Sequence, residues 1–152
     1  MAVTTTDGQA KALVNFFLEA LRVFHLSDEE KACIKQLDAN EDKIEDLYVG
    51  YVTPENNTQF NNFMECVWKK VGFLTQSGDI NYEKLKKSYQ LDGKTGEDNP
   101  AVLEQLNELL FDAASKCESN HTLLKSGSAG ETAVKVQNCI VSNFLEASEL
   151  IA

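Results

Sequence analysis

Residues 63–85 read FMECVWKKVGFLTQSGDINYEKL. Together with Phe60 just upstream, Phe63, Met64, Val67, Trp68 and Val71 recur every three or four residues, which places them on one face of an α-helix. Thr58 is expected to cap that helix, since its hydroxyl can accept one of the unpaired first-turn N–H groups. Gly72 and Ser77-Gly78-Asp79 then break the pattern. A second helix is expected to begin at Asp79 or Asn81 and to run through Tyr89. This helix–turn–helix reading, with Cys66 on its first helix, sets the class of the whole chain.

Working outward, the same periodicity returns on both sides. Residues 10–25 place Leu13, Phe16, Phe17, Ala20, Leu21 and Phe24 on one face. Ser27-Asp28-Glu29-Glu30 is a capping box for a helix carrying Cys33 and Leu37. Glu41 to Tyr51 is a short helix that Thr53-Pro54 ends. Asp92 to Asn99 is polar and loop-like, and Asn99-Pro100 is a favourable helix start. Val102, Leu103, Leu106, Leu109, Leu110, Ala113, Ala114 and Cys117 follow on one face. After Lys125-Ser126-Gly127, the box Ser128-x-x-Glu131 opens a last helix with Ala133, Val136, Cys139, Ile140 and Phe144. Strand signals are nearly absent, so the chain reads as one all-α domain of six to seven helices.

Four cysteines, Cys33, Cys66, Cys117 and Cys139, lie in or beside these helices, and none belongs to a C-x-x-C pair. In a helical chain of 152 residues this reads as two disulfides of a secreted domain. The chain is also long enough to bury a substantial core by itself. A formal charge of −10 and a single arginine, Arg22, argue against nucleic acid and anionic membranes, which are held by clustered cations. No apolar run is long enough to span a bilayer, so no stable membrane insertion is expected. Ala2–Gly8 is polar, and residues 1–9 are expected to be disordered. Met1 reads as an added initiator after removal of a natural leader. Two N-x-T triplets, Asn56-Asn57-Thr58 and Asn120-His121-Thr122, are compatible with secretion.

Chemistry-bearing motifs are missing. His25 sits at a helix end and His121 in a turn after Cys117, and neither forms a nucleophile–base arrangement. There is no G-x-S-x-G and no Gly-rich phosphate loop, so no catalytic residue is assigned and no enzyme activity is expected. Phe73 to Lys84 has the outline of a calcium loop, with Gly78 and Ile80 in register. Its first and last positions, however, hold Phe73 and Lys84 where carboxylates must bind the ion. No His/Cys pair has zinc spacing, so neither a metal nor a cofactor is expected. Lys69, Lys70, Lys84, Lys86 and Lys87 read as a solvated face. The aromatic residues from several helices read as core, as the lining of an internal apolar cavity, or as both, and periodicity alone does not separate these readings.

The cysteine frame supplies a resemblance. ACIKQLDANEDKIEDL at 32–47 is similar to the first-cysteine helix of insect odorant-binding proteins. Residues 63–85 resemble that family's third-cysteine helix, its turn and the next helix. KCES at 116–119 and GETAVKVQNC at 130–139 resemble the regions of the fourth and sixth cysteines. The family's second and fifth cysteines, which bond to each other, are replaced here by Asn62 and Gly130. Their joint absence resembles the four-cysteine, or C-minus, subgroup. The full helix at 10–25 ahead of Cys33 departs from the family pattern. It could extend the first helix, cover a cavity mouth or form a homodimer contact.

This resemblance implies the pairs Cys33–Cys66 and Cys117–Cys139. It also implies a bundle around an internal hydrophobic cavity and a secreted, extracellular carrier of a small hydrophobic ligand, with a membrane receptor as a further partner in some relatives. The expected lining is Phe16, Phe17, Met64, Val67, Trp68, Phe73, Leu106, Leu110, Phe111, Val136, Ile140 and Phe144. Tyr48, Tyr82, Tyr89 or Asn143 would supply a hydrogen bond. The missing third bridge is expected to leave the cavity more adaptable. Residues 140–152, IVSNFLEASELIA, are expected as a helix end or as a tail that closes the pocket. Two other roles stay open: a salivary-type scavenger of amines or lipid mediators on the same fold, and a saposin-like lipid-surface protein, which the cysteine spacing fits poorly.

Overall fold

In the computed structural model, residues 26–48, 52–88 and 100–151 are described. The helix expected over 10–25, with Phe16, Phe17 and His25, lies outside them, as do Tyr89 and the 92–99 loop. Seven helices run through the described residues: α1 (Asp28–Gln36), α2 (Glu41–Tyr48), α3 (Thr58–Val71), α4 (Tyr82–Ser88), α5 (Pro100–Ser119), α6 (His121–Leu124) and α7 (Ala129–Ile151).

Short polar side chains start most of them. At α1 the capping box forms in both directions: the Glu30 N–H donates to Ser27 Oγ at 3.2 Å and the Ser27 N–H to Glu30 Oε1 at 2.9 Å. Asn40 accepts from the Lys43 N–H and Asn81 from the Lys84 N–H, each at 3.1 Å, so Asn81 and not Asp79 opens α4. Ser128 Oγ accepts from the Glu131 N–H at 3.1 Å ahead of α7. The cap of α3 is Asn57 and not Thr58. Asn57 Oδ1 accepts from the Phe60 N–H at 2.9 Å, while Thr58 is already the first helical residue. A capping side chain reaches the N–H two or three residues ahead, which from Asn57 is the first unpaired donor of the apolar stripe.

Gly72 closes α3 in the left-handed region, at φ +88°, with its N–H on the Trp68 carbonyl. The segment that follows folds back on itself. Leu74 and Ile80 form an antiparallel bridge, with the Thr75 N–H on the Asp79 carbonyl at 2.8 Å and the Asn81 N–H on the Phe73 carbonyl at 2.7 Å. Backbone bonds therefore close the loop whose outline resembled a calcium site. His121 stands at the start of the single-turn α6. Of the two expectations for residues 140–152, a helix end or a tail, the structure has the first: α7 continues without interruption to Ile151, since no Gly or Pro occurs in that stretch.

α7 is the spine, packed along both α3 and α5, while α1 lies on α3 and α4 on α5. Cys33–Cys66 ties α1 to α3 and Cys117–Cys139 ties α5 to α7, with Cα separations of 5.9 and 6.1 Å. These are the pairs that the resemblance implied. At the position of the absent third bridge, the backbones of α3 and α7 touch. A Cβ on Gly130 would lie 2.0 Å from the Asn61 carbonyl oxygen, and the Gly130 N–H donates to Glu65 Oε1 at 3.2 Å. A residue without a side chain lets the helices approach this closely.

Candidate functional site

The apolar stripes of α3, α5 and α7 meet in one interior. Met64, Val67 and Trp68 enter from α3, Leu106 and Leu110 from α5, and Val136, Ile140 and Phe144 from α7, all of them buried in a single apolar cluster. Phe73 is partly buried against it, its ring edge-on to Trp68 at 5.5 Å between centroids. Sequence reasoning assigned these positions to a lining, and the fold brings all nine together.

Phe111 does not join them. It is 48% exposed, and the Lys86 ammonium lies 5.3 Å from its ring centroid. At 3.6 residues per turn it stands about 140° around α5 from Leu106, on the outward face. Several large buried side chains were missing from the expected lining: Phe60, Phe63, Ile44, Leu74, Leu85 and Val134. Periodicity places Phe60 and Phe63 on the same stripe as Met64 and Val67, and the expected lining omitted them. Ile44 has one local signal, an apolar residue on an otherwise charged turn.

The four buried polar or charged side chains of the described residues are all engaged by the protein itself. Glu30 completes the α1 capping box. Thr132 Oγ1 accepts from the Ser126 N–H at 2.9 Å and donates to the Ser128 carbonyl at 3.0 Å. Asn138 of α7 grips Thr53: its Oδ1 accepts from the Thr53 N–H at 2.9 Å and from the hydroxyl at 3.1 Å, and its Nδ2 donates to the Thr53 carbonyl at 2.8 Å. These four are the buried polar or charged residues among those described. Asn61 Oδ1, at the α3–α7 contact, is buried without a donor among the described residues. No local pattern announces the Asn138–Thr53 pair, because its partners are 85 positions apart.

The expected hydrogen-bonding residues are placed differently. Tyr82, at the start of α4, is buried, its hydroxyl 2.7 Å from His121 Nδ1 and its ring edge-on to the imidazole. Burial first, and then the negative charge of Glu118, pushes the Tyr82 phenol up to about 12. Glu118 in turn pairs with Lys86 at 2.7 Å, which links α4 to α5. Asn143 faces a groove between α5 and α7 and donates to the Ala113 carbonyl and to Cys117 Sγ, each at 3.2 Å. The side chain of Tyr48 lies outside the described residues.

The described helices thus form a disulfide-stapled frame around an apolar interior, whose buried polar side chains, Asn61 Oδ1 apart, are paired within the chain. The sequence matches the model of the PBP/GOBP family, the insect odorant-binding type, over residues 25–143. The chain belongs to that family. Two disulfides in place of the family's three fit its C-minus subgroup. No curated protein and no solved structure matches the chain. PBP/GOBP proteins bind small ligands such as odorants and pheromones, and the family is one of binders and carriers, not of enzymes. Among the described residues, no helix is long and apolar enough to cross a membrane.

Proposed function

We propose that this protein is a secreted carrier that takes a small hydrophobic ligand, such as an odorant, a pheromone or a fatty acid, into an internal cavity walled by α3, α5 and α7 and moves it through aqueous fluid. The observation that carries this reading is the pairing of the interior polar groups. Glu30, Thr53, Thr132 and Asn138 all have partners within the chain, which supports a cavity walled mainly by hydrocarbon and aromatic surface, with Asn61 Oδ1 as a single unpaired acceptor among the described residues. Affinity then comes from apolar area removed from water, about 25 cal/mol per Å² before ordering costs. A cationic amine would need a buried carboxylate, or several buried acceptors together, to replace its hydration. The one buried carboxylate among the described residues, Glu30, is engaged as a cap.

Native mass spectrometry of the purified chain, followed by denaturing extraction, tests the proposal. A bound species that extracts as a fatty acid or similar apolar compound, or an apolar fluorescent probe displaced by such compounds, is the expected result. Tight amine binding with no uptake of the probe would refute it in favour of a scavenger on the same fold. Disruption of lipid vesicles would refute it in favour of a surface-active protein.

A further inference from the structure

We infer that Asn56 is a site of N-linked glycosylation, an assignment that rests on the secreted reading above. Asn56-Asn57-Thr58 meets the N-x-T requirement. The fold then does two things to it. It leaves Asn56 exposed in a bend, with no hydrogen bond among the described residues, and it fixes the chain on either side. Upstream, Thr53 is held in the interior by Asn138. Downstream, Asn57 holds the α3 cap through Oδ1 and is followed by Thr58-Gln59, so only Asn56 of the two neighbouring asparagines heads an N-x-T triplet. Thr58 is exposed at the first helical position. A glycan on Asn56 therefore projects from a short anchored loop into solvent and displaces no bond of the folded chain. The other triplet differs. Asn120 Nδ2 already donates to the Lys116 carbonyl at 3.1 Å, and Thr122 lies within α6.

The donor is an oligosaccharide linked to a polyprenyl pyrophosphate, and the transfer is made by a membrane oligosaccharyltransferase. A bond forms between Asn56 Nδ2 and the anomeric carbon while the bond from that carbon to the phosphate oxygen breaks. The electron pair leaves with the pyrophosphate, one amide proton is lost, and nothing is oxidised or reduced.

To test this, the full chain is expressed behind a signal peptide in insect cells. The secreted product is treated with peptide-N-glycosidase in heavy-oxygen water and mapped by mass spectrometry. Label incorporated at Asn56 is expected, with loss of the intact-mass excess in Asn56→Gln and Thr58→Ala, and its retention in Thr58→Ser and Asn120→Gln. Secreted protein with bare Asn56, or Asn56→Gln that keeps its full mass excess, would overturn the assignment. Because the signal peptide is supplied, a bare Asn56 counts against the modification alone, while the ligand assay decides the carrier reading separately.

Discussion

Replacing Gly130 by alanine sets local preference against tertiary packing. Near the start of a helix, alanine is favoured over glycine by up to about 1 kcal/mol, so the sequence alone predicts a stabilised protein. The fold predicts the reverse. The new Cβ would stand 2.0 Å from the Asn61 carbonyl oxygen and 2.7 Å from its carbon, both inside the 3.0 Å that real Cβ contacts respect. The obstacle is backbone, so α3 and α7 must separate by about 1 Å or more, and packed interiors resist this at about 1–3 kcal/mol. The same movement weakens the bond from the Gly130 N–H to the Glu65 carboxylate, a charged hydrogen bond of about 1.5–3 kcal/mol. Against the propensity gain, the net expectation is a loss of about 2 kcal/mol. In a chain of this size that lowers the melting temperature by about 4–8 °C. The assay is thermal and urea unfolding of the disulfide-intact protein, followed by circular dichroism. Gly127→Ala is the internal control, since a Cβ there meets nothing within 4 Å, and it should be neutral or slightly stabilising. An unchanged or raised melting temperature for Gly130→Ala would refute the claim that backbone contact replaces the absent bridge.

Three further outcomes follow from the same structure. Asn138→Ala leaves the Thr53 N–H and carbonyl buried without partners, so the urea midpoint should fall by the equivalent of about 2–4 kcal/mol with ligand-free protein; a loss below about 0.5 kcal/mol would mean that water replaces the amide. Removing Cys117–Cys139 or Cys33–Cys66 by paired serine substitution should cost about 3.4 and 3.7 kcal/mol respectively, from chain separations of 22 and 33; equal wild-type stability under reducing and oxidising conditions would contradict this. For Tyr82, the folded phenol at about 12 stands above its ordinary value of 10.0, so the folded state holds the proton that the unfolded state releases. The resulting stability is complete below pH 10 and is lost as pH rises through about 12. Ultraviolet titration should show a late tyrosine that disappears in Tyr82→Phe, and a titration curve unchanged by Tyr82→Phe above pH 10 would exclude the burial of the Tyr82 phenol.

Much of this protein is written locally. The stripe from Phe60 to Val71, the box at Ser27–Glu30, the left-handed stop at Gly72 and the Pro100 start each depend on residues within one or two helical turns. Backbone geometry turns such spacing directly into a helix with a buried face. The cysteine spacing, through its resemblance to a known frame, also carried the two disulfide pairs. Even the exposure of Phe111 was legible, because it stands off the Leu106–Leu110–Cys117 stripe; its aromatic character drew it into the expected lining against its register. Other features had no local signature. Gly130 faces Asn61 backbone from another helix, Asn138 holds Thr53 from 85 positions away, and Tyr82 meets His121 at the start of α6 only because α4 packs on the preceding α5. A helix's sequence determines which of its faces is apolar. The neighbour that covers that face, and how closely the two backbones approach, depends on side-chain volumes contributed by distant segments at once, and that was decided only when the chain folded.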